Sequence, residues 1–184
     1  MVVPVLRHIL TSNEFITNPI PKVRTPFELL VAMIRATGAT IDTSFDPTAD
    51  RPATRSISDH LSRLGQPMWE WPTPDGFPDV RDFWITTNTT LRRWELAGRL
   101  GNRSLNGITI DPAALLPQPM PATIDLVIRA LAARFGLPIT QTDVAAITGF
   151  LGVATDTPVA NVRLNDNLGD VIGLLLSMPA NQYR

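Results

Sequence analysis

The segment from Leu64 to Pro78 carries the chain's clearest potential for ligand contact. It reads LGQPMWEWPTPDGFP and holds four prolines, two glycines and two of the chain's four tryptophans. In an extended segment Trp69 and Trp71 would point the same way, because alternate side chains of extended backbone share a face. The two rings predict either a plug on the protein core or a platform for a sugar ring or a peptide.

The same segment supplies a carboxylate and a turn. Pro74, Asp75 and Gly76 are typical turn residues, and the four prolines predict a stiff, ordered loop. A pocket that held both tryptophan rings and a titratable pair, such as Asp75 with Arg93, would indicate ligand binding. Fully buried tryptophans would indicate a structural plug.

Arg93 is predicted to lie on the apolar side of a helix. At about 100° per residue its neighbours on that side are Leu96, Ala97 and Leu100. A lone buried guanidinium is too costly, so Arg93 must reach solvent or find a partner. We predict that Arg93 contacts a carboxylate or several backbone carbonyls and locks a loop. The alternative is a role in anion binding.

The remaining candidate residues favour structural roles over metal or catalytic chemistry. His8 and His60 show no HxxxH or HExxH spacing, which argues against a zinc site. Three aspartates four residues apart could collect a calcium ion, although a solvated loop is the favoured interpretation; they are Asp42, Asp46 and Asp50. Near the end of the chain, we expect Asn165 or Asp166 to cap a helix rather than bind metal. We identify no catalytic residue and expect no metal and no cofactor.

Composition excludes several classes of protein. Sixteen basic residues against seventeen acidic ones give a net charge of −1, with no basic stripe, so nucleic-acid binding is not predicted. The chain has no cysteine, which excludes disulfides and thiolate sites. No apolar run approaches the ~18 residues of a membrane span. The first residues do not read as a signal peptide.

The elements that must position these residues are helices. In TPFELLVAMIRATG, Thr25 is the predicted N-cap, Pro26 the first helical residue and Glu28 the partner in a capping box, and Gly38 ends the helix. An apolar face is predicted for Phe27, Leu30, Val31 and Ile34, with Leu29 and Met33 beside it. Glu28 and Arg35 lie on a narrow charged stripe. Gly65 and Gly136 are predicted to end two further helices.

Six more helices follow from the same periodicity and end signals. They cover about 2–10, ISDHLSRLG, 88–100 after TTNTT, ATIDLVIRALAARFG with Ile124, Val127, Leu131 and Phe135 on one face, TQTDVAAITGFLG, and NDNLGDVIGLLLSM. GITIDP has room for one very short strand. Residues 42–56 are polar and unpatterned and are predicted to form the most mobile loop.

The chain resembles a known bacterial family. HILTSNEF, KVRTPFELLVAMIRATGA and LGQPMWEWPTPDGFPDV, followed by FW and LRRWELA, are similar to the C-terminal third of the family called domain of unknown function eighteen-hundred. The resemblance covers most of the chain, from RTPFE and Arg35 through LGQP, PDGFP, Trp84 and Arg93 to the ending LLLSMPANQYR. It implies structural importance for Glu28, Arg35, Gly65 and Gly76. It transfers no catalytic residue.

The resemblance also bears on location and completeness. Members of the family are generally exported and longer, with an N-terminal helical region that this chain lacks. An exported or periplasmic protein is therefore implied, whereas a complete chain without a signal peptide would be cytoplasmic. If the chain is the tail of a longer fold, its opening helix should expose Leu6, Ile9 and Leu10 and favour self-association, as a two-fold dimer.

We therefore expect an all-α fold, with residues 1–184 forming one irregular helical domain of about six or more helices. The leading hypothesis is a non-enzymatic helical module, structural or interaction-mediating, with a protein partner or a second copy bound. The alternative is an accessory domain that binds or hydrolyses carbohydrate or another envelope polymer, using Trp69, Trp71, Asp75 and Arg93.

Overall fold

The computed structural model describes residues 2–17, 21–44 and 53–184. The ten α-helices of these residues are α1 (Val2–Leu10), α2 (Asn13–Thr17), α3 (Pro26–Thr37), α4 (Ala53–Arg63), α5 (Arg81–Trp84), α6 (Thr87–Gly101), α7 (Ile124–Arg134), α8 (Gln141–Phe150), α9 (Leu164–Ser177) and α10 (Pro179–Gln182). Two short strands, β1 (Thr40–Ile41) and β2 (Ile108–Thr109), are the other regular elements, apart from two short 3-10 helices. The predicted all-α class is confirmed.

The ends of α3 are those that the sequence predicts. The Thr25 hydroxyl accepts a hydrogen bond from the Glu28 amide, and the Glu28 carboxylate accepts one from the Thr25 amide at 2.9 Å. Pro26 opens the helix, and Gly38 ends it in the left-handed conformation at φ 61°. Each cap is a local contact within a few residues, so the sequence alone is enough to predict it.

The predicted apolar face of α3 is wrong by part of a turn. Leu29 and Met33 are fully buried with Leu30, whereas Phe27 is 44% exposed. Apolar residues surround most of this helix, so their periodicity does not fix which side faces the core. Packing against the other helices decides it.

Helices α6 and α9 form the most extensive helix–helix contact of the fold. Their backbones approach closely because glycines face each other, Gly98 opposite Gly173 and Gly101 opposite Gly169. Residue numbers rise along one helix as they fall along the other, so the two helices run antiparallel. Around this pair lies a core of aliphatic side chains, among them Leu96, Leu100, Ile128, Leu131, Val171, Ile172 and Leu175.

The remaining predicted helices are present, with corrections at their ends. In α7, Ile124, Val127 and Leu131 are fully buried as predicted, and Ile128 joins them. The predicted cap of α9 is wrong: the N-cap residue is Arg163, which makes no side-chain capping bond, and Asp166 lies in the first turn. The side chain of Asn165 lies outside the described residues.

A two-stranded antiparallel sheet joins distant parts of the chain. Thr40 pairs with Thr109 and Ile41 with Ile108, so the GITIDP strand finds a partner just after α3. Sequence reasoning missed this partner because two residues carry too little pattern. Of the predicted mobile loop, residues 45–52 lie outside the described part of the chain, and the residues from Ala53 onward are helical in α4.

The opening helices contribute no buried residue to the core. Helix α1 has the predicted bounds, but it contains no buried residue, and neither does α2. Leu6, Ile9 and Leu10 are about half exposed, at 50%, 49% and 52%. Among the described helices, none combines the length and the apolar character that a membrane crossing requires.

Candidate functional site

The loop from Leu64 to Pro78 is held to the helical core at its start. Gly65 ends α4 with a φ of 87°, a conformation that favours glycine. The side-chain oxygen of Gln66 then accepts a hydrogen bond of 2.8 Å from the Phe27 amide in the first turn of α3. Met68 packs on the core. The LGQP stretch therefore anchors the loop and completes the N-terminus of α3.

An aromatic cluster holds the second half of the loop. The Trp71 ring lies 4.6 Å from the Phe77 ring and 5.9 Å, edge-on, from the Phe83 ring, centroid to centroid. Trp84, 2% exposed, contacts both phenylalanines, and its indole nitrogen donates a 2.8 Å hydrogen bond to the Pro78 carbonyl. Trp71 is partly buried in this cluster, to which α5 contributes Phe83 and Trp84.

Trp69 does not share this environment. Its side chain is 95% exposed, and its φ of 66° lies in the left-handed region that residues other than glycine rarely adopt. The prediction that Trp69 and Trp71 point the same way is wrong. A left-handed residue breaks the alternation of an extended chain, so Trp71 turns to the cluster and Trp69 to solvent.

Asp75 takes part in the loop rather than in a pair with Arg93. Its carboxylate accepts hydrogen bonds from the Thr73 hydroxyl and, at 3.4 Å, from the Trp71 indole nitrogen. These bonds, with that of Thr73 first, hold the pKa of Asp75 below its usual value. No hydrogen bond or ion pair joins Asp75 to Arg93, although both lie in the described part of the chain. Gly76, at φ 75°, supplies the turn after it.

Arg93 is fully buried. It contacts one backbone carbonyl and one side-chain amide oxygen, rather than a carboxylate or several carbonyls. One terminal nitrogen donates to the Arg24 carbonyl at 2.8 Å and the other to the side-chain oxygen of Gln182 at 3.2 Å. No carboxylate pairs with it within the described residues. Burial lowers the pKa of Arg93 to about 10, so the guanidinium stays charged at neutral pH. Its Nε and the Gln182 amide nitrogen have no protein partner among the described residues.

Around Arg93 the last residues of the chain are fastened to the segment before α3. The Arg24 guanidinium donates a hydrogen bond to the side-chain oxygen of Asn181 at 2.9 Å. The backbone amide of Arg24 donates another to the Gln182 backbone carbonyl at 2.8 Å. The guanidinium of Arg184 forms a 2.8 Å ion pair with Oε1 of Glu28, the carboxylate oxygen that does not bond the Thr25 amide. Glu28 thus has two roles, capping α3 and holding the tail. Sequence reasoning missed these contacts between the end of the chain and the segment before α3. The available signal was the polar ending NQYR.

The histidines and the other polar candidate residues do not come together in a shared site among the described residues. His8 is exposed, and His60 is half-buried, where burial and then the charges of Arg99 and Arg63 lower its pKa. Arg35 is exposed on α3. Of the three spaced aspartates, Asp42 bonds the Ser44 amide at 2.9 Å, and the other two lie outside the described residues. Within the described ranges no cluster of three or more potential metal ligands occurs.

A second candidate site is a concave surface on α6, α8 and α9. We call it the apolar groove; its lining residues are Trp94, Gly98, Phe150, Asp170, Gly173, Leu174, Ser177 and Met178. Its volume is about 460 Å³. Phe150, Leu174 and Met178 continue into an adjoining pocket of about 190 Å³ that Asp143 borders.

Aromatic side chains form the walls of the groove, and glycines form its floor. Trp94 is 49% and Phe150 62% exposed, which is high for rings of this size. Because Gly98 and Gly173 have no side chains, an incoming group can reach down to the backbone between the walls. Sequence reasoning missed the groove, since its two walls come from helices far apart in the chain. The signal in the sequence was a large ring four residues before Gly98 and seven before Gly101, on the glycine side of α6.

The charges at the groove are acidic. Asp170 accepts a 2.7 Å hydrogen bond from the side-chain nitrogen of Asn102. Asp143 completes the capping box of α8 by accepting a 2.8 Å hydrogen bond from the backbone amide of the N-cap residue Thr140. The hydrogen bonds from Thr140 hold the pKa of Asp143 below its usual value, so it is ionised at neutral pH. No basic residue lines the groove among the described residues. The arrangement suits an apolar ligand with positive charge at its edges.

Comparison with known proteins identifies one family. A family model described as protein of unknown function (DUF1800) matches residues 2–183, nearly the whole chain. No curated protein and no solved structure matches the chain.

Proposed function

We propose that this chain, which belongs to the family described as protein of unknown function (DUF1800), is a non-enzymatic helical module that mediates an interaction with a protein. Its binding surface is the apolar groove of α6, α8 and α9. The occupant is an amphipathic helix that places its apolar stripe in the groove and its basic residues at the acidic rim. The observation that carries this proposal is the pair of exposed rings, Trp94 and Phe150, on either side of a glycine floor.

The size and character of the groove support a helix as its occupant. A dry cavity of about 150 Å³ holds a benzene-sized group, so the 460 Å³ of the groove has room for several aliphatic side chains. An amphipathic helix presents such side chains in a row at i, i+3, i+4 and i+7. Exposed apolar surface of this kind marks interaction sites in soluble proteins.

Binding of a designed helix tests the proposal. The probe is a synthetic peptide with four leucines at i, i+3, i+4 and i+7 and lysines at the remaining exposed positions, labelled for fluorescence anisotropy. We expect saturable binding that weakens at least about tenfold in Trp94→Ala, because a central tryptophan dominates the energetics of such interfaces. The control is Leu126→Ala on α7, where the side chain is 48% exposed, close to the 49% of Trp94. This variant should bind the peptide with wild-type affinity.

Two controls make the result decisive. A peptide of the same composition with scrambled leucines should not bind, because it presents no apolar stripe. Equal affinity of the wild type and Trp94→Ala for the ordered peptide would contradict the proposal. Melting curves of the variants should coincide with that of the wild type, since all of these side chains lie at the surface.

A second candidate function, binding of carbohydrate or another envelope polymer, is favoured by Trp69. The loop holds this ring 95% exposed and keeps its backbone in the left-handed region at φ 66°. A residue in that region costs roughly 1–2 kcal/mol, and such strain occurs preferentially at functional sites. The ring face is free to stack on the apolar face of a sugar. Trp71 and Asp75 would then support the loop rather than contact the ligand.

Retention on insoluble polysaccharides tests this second candidate. We expect the wild type to be retained on at least one of chitin, cellulose and peptidoglycan, and Trp69→Ala to lose retention by about tenfold, the equivalent of one stacking contact. Trp94→Ala is the matched control because its ring is exposed on a different surface. Retention that depends on neither tryptophan, or on Trp94 alone, would contradict a sugar-binding role for the loop.

A further inference from the structure

A small pocket between α4, α6 and the turn before β2 is lined by polar and charged side chains alone. Its volume is about 30 Å³, and it shares no lining residue with the apolar groove. Because one water molecule needs about 10–15 Å³ of space, the pocket has room for two oxygen atoms. The lining residues are Ser56, Asp59, His60, Arg63, Arg99 and Asn106.

Helix α4 supplies four of these residues at a helical spacing. Ser56, His60 and Arg63 follow the spacing i, i+4 and i+7, so they share one side of the helix, and Asp59 lies beside them. Ser56 is buried and His60 is half-buried, whereas Asp59 and Arg63 are exposed. This side of α4 therefore presents hydrogen-bond donors at two depths.

The other walls are held close to α4. Helix α6 packs against α4 and brings Arg99 to the pocket. The turn before β2 approaches so closely that a Cβ on Gly107 would lie 2.5 Å from the Cβ of Ala53, at the start of α4. Asn106 precedes this glycine and reaches the pocket from the turn. Three segments that are distant in the chain therefore converge here.

The guanidinium of Arg99 uses few of its hydrogen-bond donors. It has five N–H groups, yet its polar contacts among the described residues are long, with Glu95 at 3.5 Å and the Ser104 carbonyl at 3.3 Å. Its Nε is buried and has no partner in the described part of the chain. Glu95 pairs more closely with Arg92, at 2.8 Å. Arg99 therefore keeps charge and donors for a further acceptor.

The electrostatic potential at His60 is positive. Burial lowers the pKa of His60 most, followed by the charges of Arg99 and Arg63. Glu95 and Asp59 raise this pKa, but each by less than either arginine lowers it. The turn before β2 adds no charged group. No ion pair joins Asp59 to either arginine or to His60, all of which the structure describes. The lone carboxylate of the lining therefore leaves the positive charge uncompensated.

We propose that this pocket binds the charged end of a phosphate-type oxyanion and takes in two of its oxygen atoms. Arg63 and Arg99 supply the positive charge, and the planar fork of a guanidinium matches a pair of such oxygens. Ser56, Asn106 and the neutral ring of His60 supply further donors. The rest of the ligand faces solvent, so a free ion and a phosphate ester both fit. The site is separate from the apolar groove and from Trp69, whose proposals stand or fall independently of it.

Proton NMR of the two histidines is the first test. The ring protons of His60 and His8 are followed between about pH 5 and pH 8, with and without sodium sulfate, at an ionic strength held constant with sodium chloride. Sulfate keeps its two negative charges over this range, so its own protonation does not contribute. We expect sulfate to raise the pKa of His60, because a bound anion favours the charged imidazole, and to leave the exposed His8 unchanged. The His8→Gln chain assigns the resonances.

Two arginines that share Glu95 provide a matched pair of variants. Arg99→Gln should weaken sulfate binding at least about tenfold, because a charge-assisted contact is lost. Arg92→Gln removes the same charge from the same helix outside the pocket lining and should bind with wild-type affinity. Arg63→Gln should weaken binding as Arg99→Gln does. Its side chain is exposed, so its circular dichroism melting curve should match that of the wild type.

Inorganic phosphate and methyl phosphate, titrated in the same way, distinguish the sources of the ligand. Binding of the ester at least as tight as that of the free ion indicates a phosphate group carried by a larger molecule. Binding of inorganic phosphate alone indicates the free ion. Either result supports the site.

Three results would overturn the inference. An equal response of His60 and His8 to sulfate would show general screening by salt. Wild-type affinity in Arg63→Gln would show that the anion binds elsewhere. A protein that binds none of the three anions would leave the pocket without this role.

Discussion

Replacing Arg93 by alanine is expected to lower the free energy of unfolding by about 2–5 kcal/mol. The guanidinium is fully buried and donates to the Arg24 carbonyl and the Gln182 side chain. Its removal leaves both acceptors unpaired in a site closed to water and opens a cavity where the long side chain lay. The loss of these contacts should also release the end of the chain, because Arg93 lies between the segment before α3 and α10. Urea denaturation measures the change in stability.

The neighbouring residue provides a matched control for this prediction. Arg92 lies on the exposed polar face of α6 with its side chain 43% exposed, and its 2.8 Å ion pair with Glu95 is a surface contact. Arg92→Ala should therefore cost less than about 0.5 kcal/mol. Arg93→Met keeps most of the volume and isolates the polar contribution, so it should fall between the other two. Equal melting shifts for Arg92→Ala and Arg93→Ala would contradict the buried arrangement.

Gly101→Ala is expected to be about as damaging, with a loss of about 3 kcal/mol or more. A Cβ at this position would press on the Gly169 carbonyl oxygen and lie 2.9 Å from the Gly173 amide nitrogen. Both atoms belong to the backbone of α9, so no side chain can turn aside to make room. The two helices would have to separate, and the aliphatic contacts along the whole α6–α9 interface would weaken.

Gly98→Ala on the same helix is the control for Gly101→Ala. A Cβ at Gly98 meets nothing within 4 Å. Alanine is the better helix former by about 0.5–1 kcal/mol, so this variant should be as stable as the wild type or more stable. Thermal unfolding of the two variants decides the matter, and a Gly101→Ala protein that melts with the wild type would refute the close helix contact.

The stability variants and the binding variants test different parts of the molecule. Arg93 and Gly101 are buried, whereas Trp69, Trp94 and Phe150 are exposed on two separate surfaces. Changes at the exposed rings should alter binding without altering the melting temperature. This separation makes it possible to assign a lost interaction to the groove or to the loop rather than to unfolding.

Much of the helical organisation could be predicted from the sequence because helix ends depend on nearby residues. The capping boxes of Thr25 with Glu28 and of Thr86 with Thr89 join residues three apart, and Gly38 and Gly65 end helices through their own backbone conformation. The burial of Arg93 was also predictable, since its position in the helical repeat puts it among apolar residues. Membership of the family followed from motifs that lie along most of the chain.

The candidate sites could not be predicted in the same way. The rings that wall the apolar groove are Trp94 on α6 and Phe150 on α8, and nothing in either helix alone indicates that they meet. The partners of Arg93 lie 69 and 89 residues away along the chain. The outward position of Trp69 depends on one left-handed residue within the loop, which no pattern of residue types specified.

The sequence by itself determined the seven longer helices, several of their ends, and that Arg93 faces the core; it missed the short helices α2, α5 and α10 and the first residues of α4 and α9. Only the tertiary structure decided which side of α3 is buried, which residues fasten the end of the chain, and where the exposed rings form a groove. The reason is physical: caps and turns are satisfied by atoms a few residues apart, whereas burial and concave surfaces depend on how helices pack. That packing is set by contacts such as Gly101 against Gly169, between residues far apart in the chain.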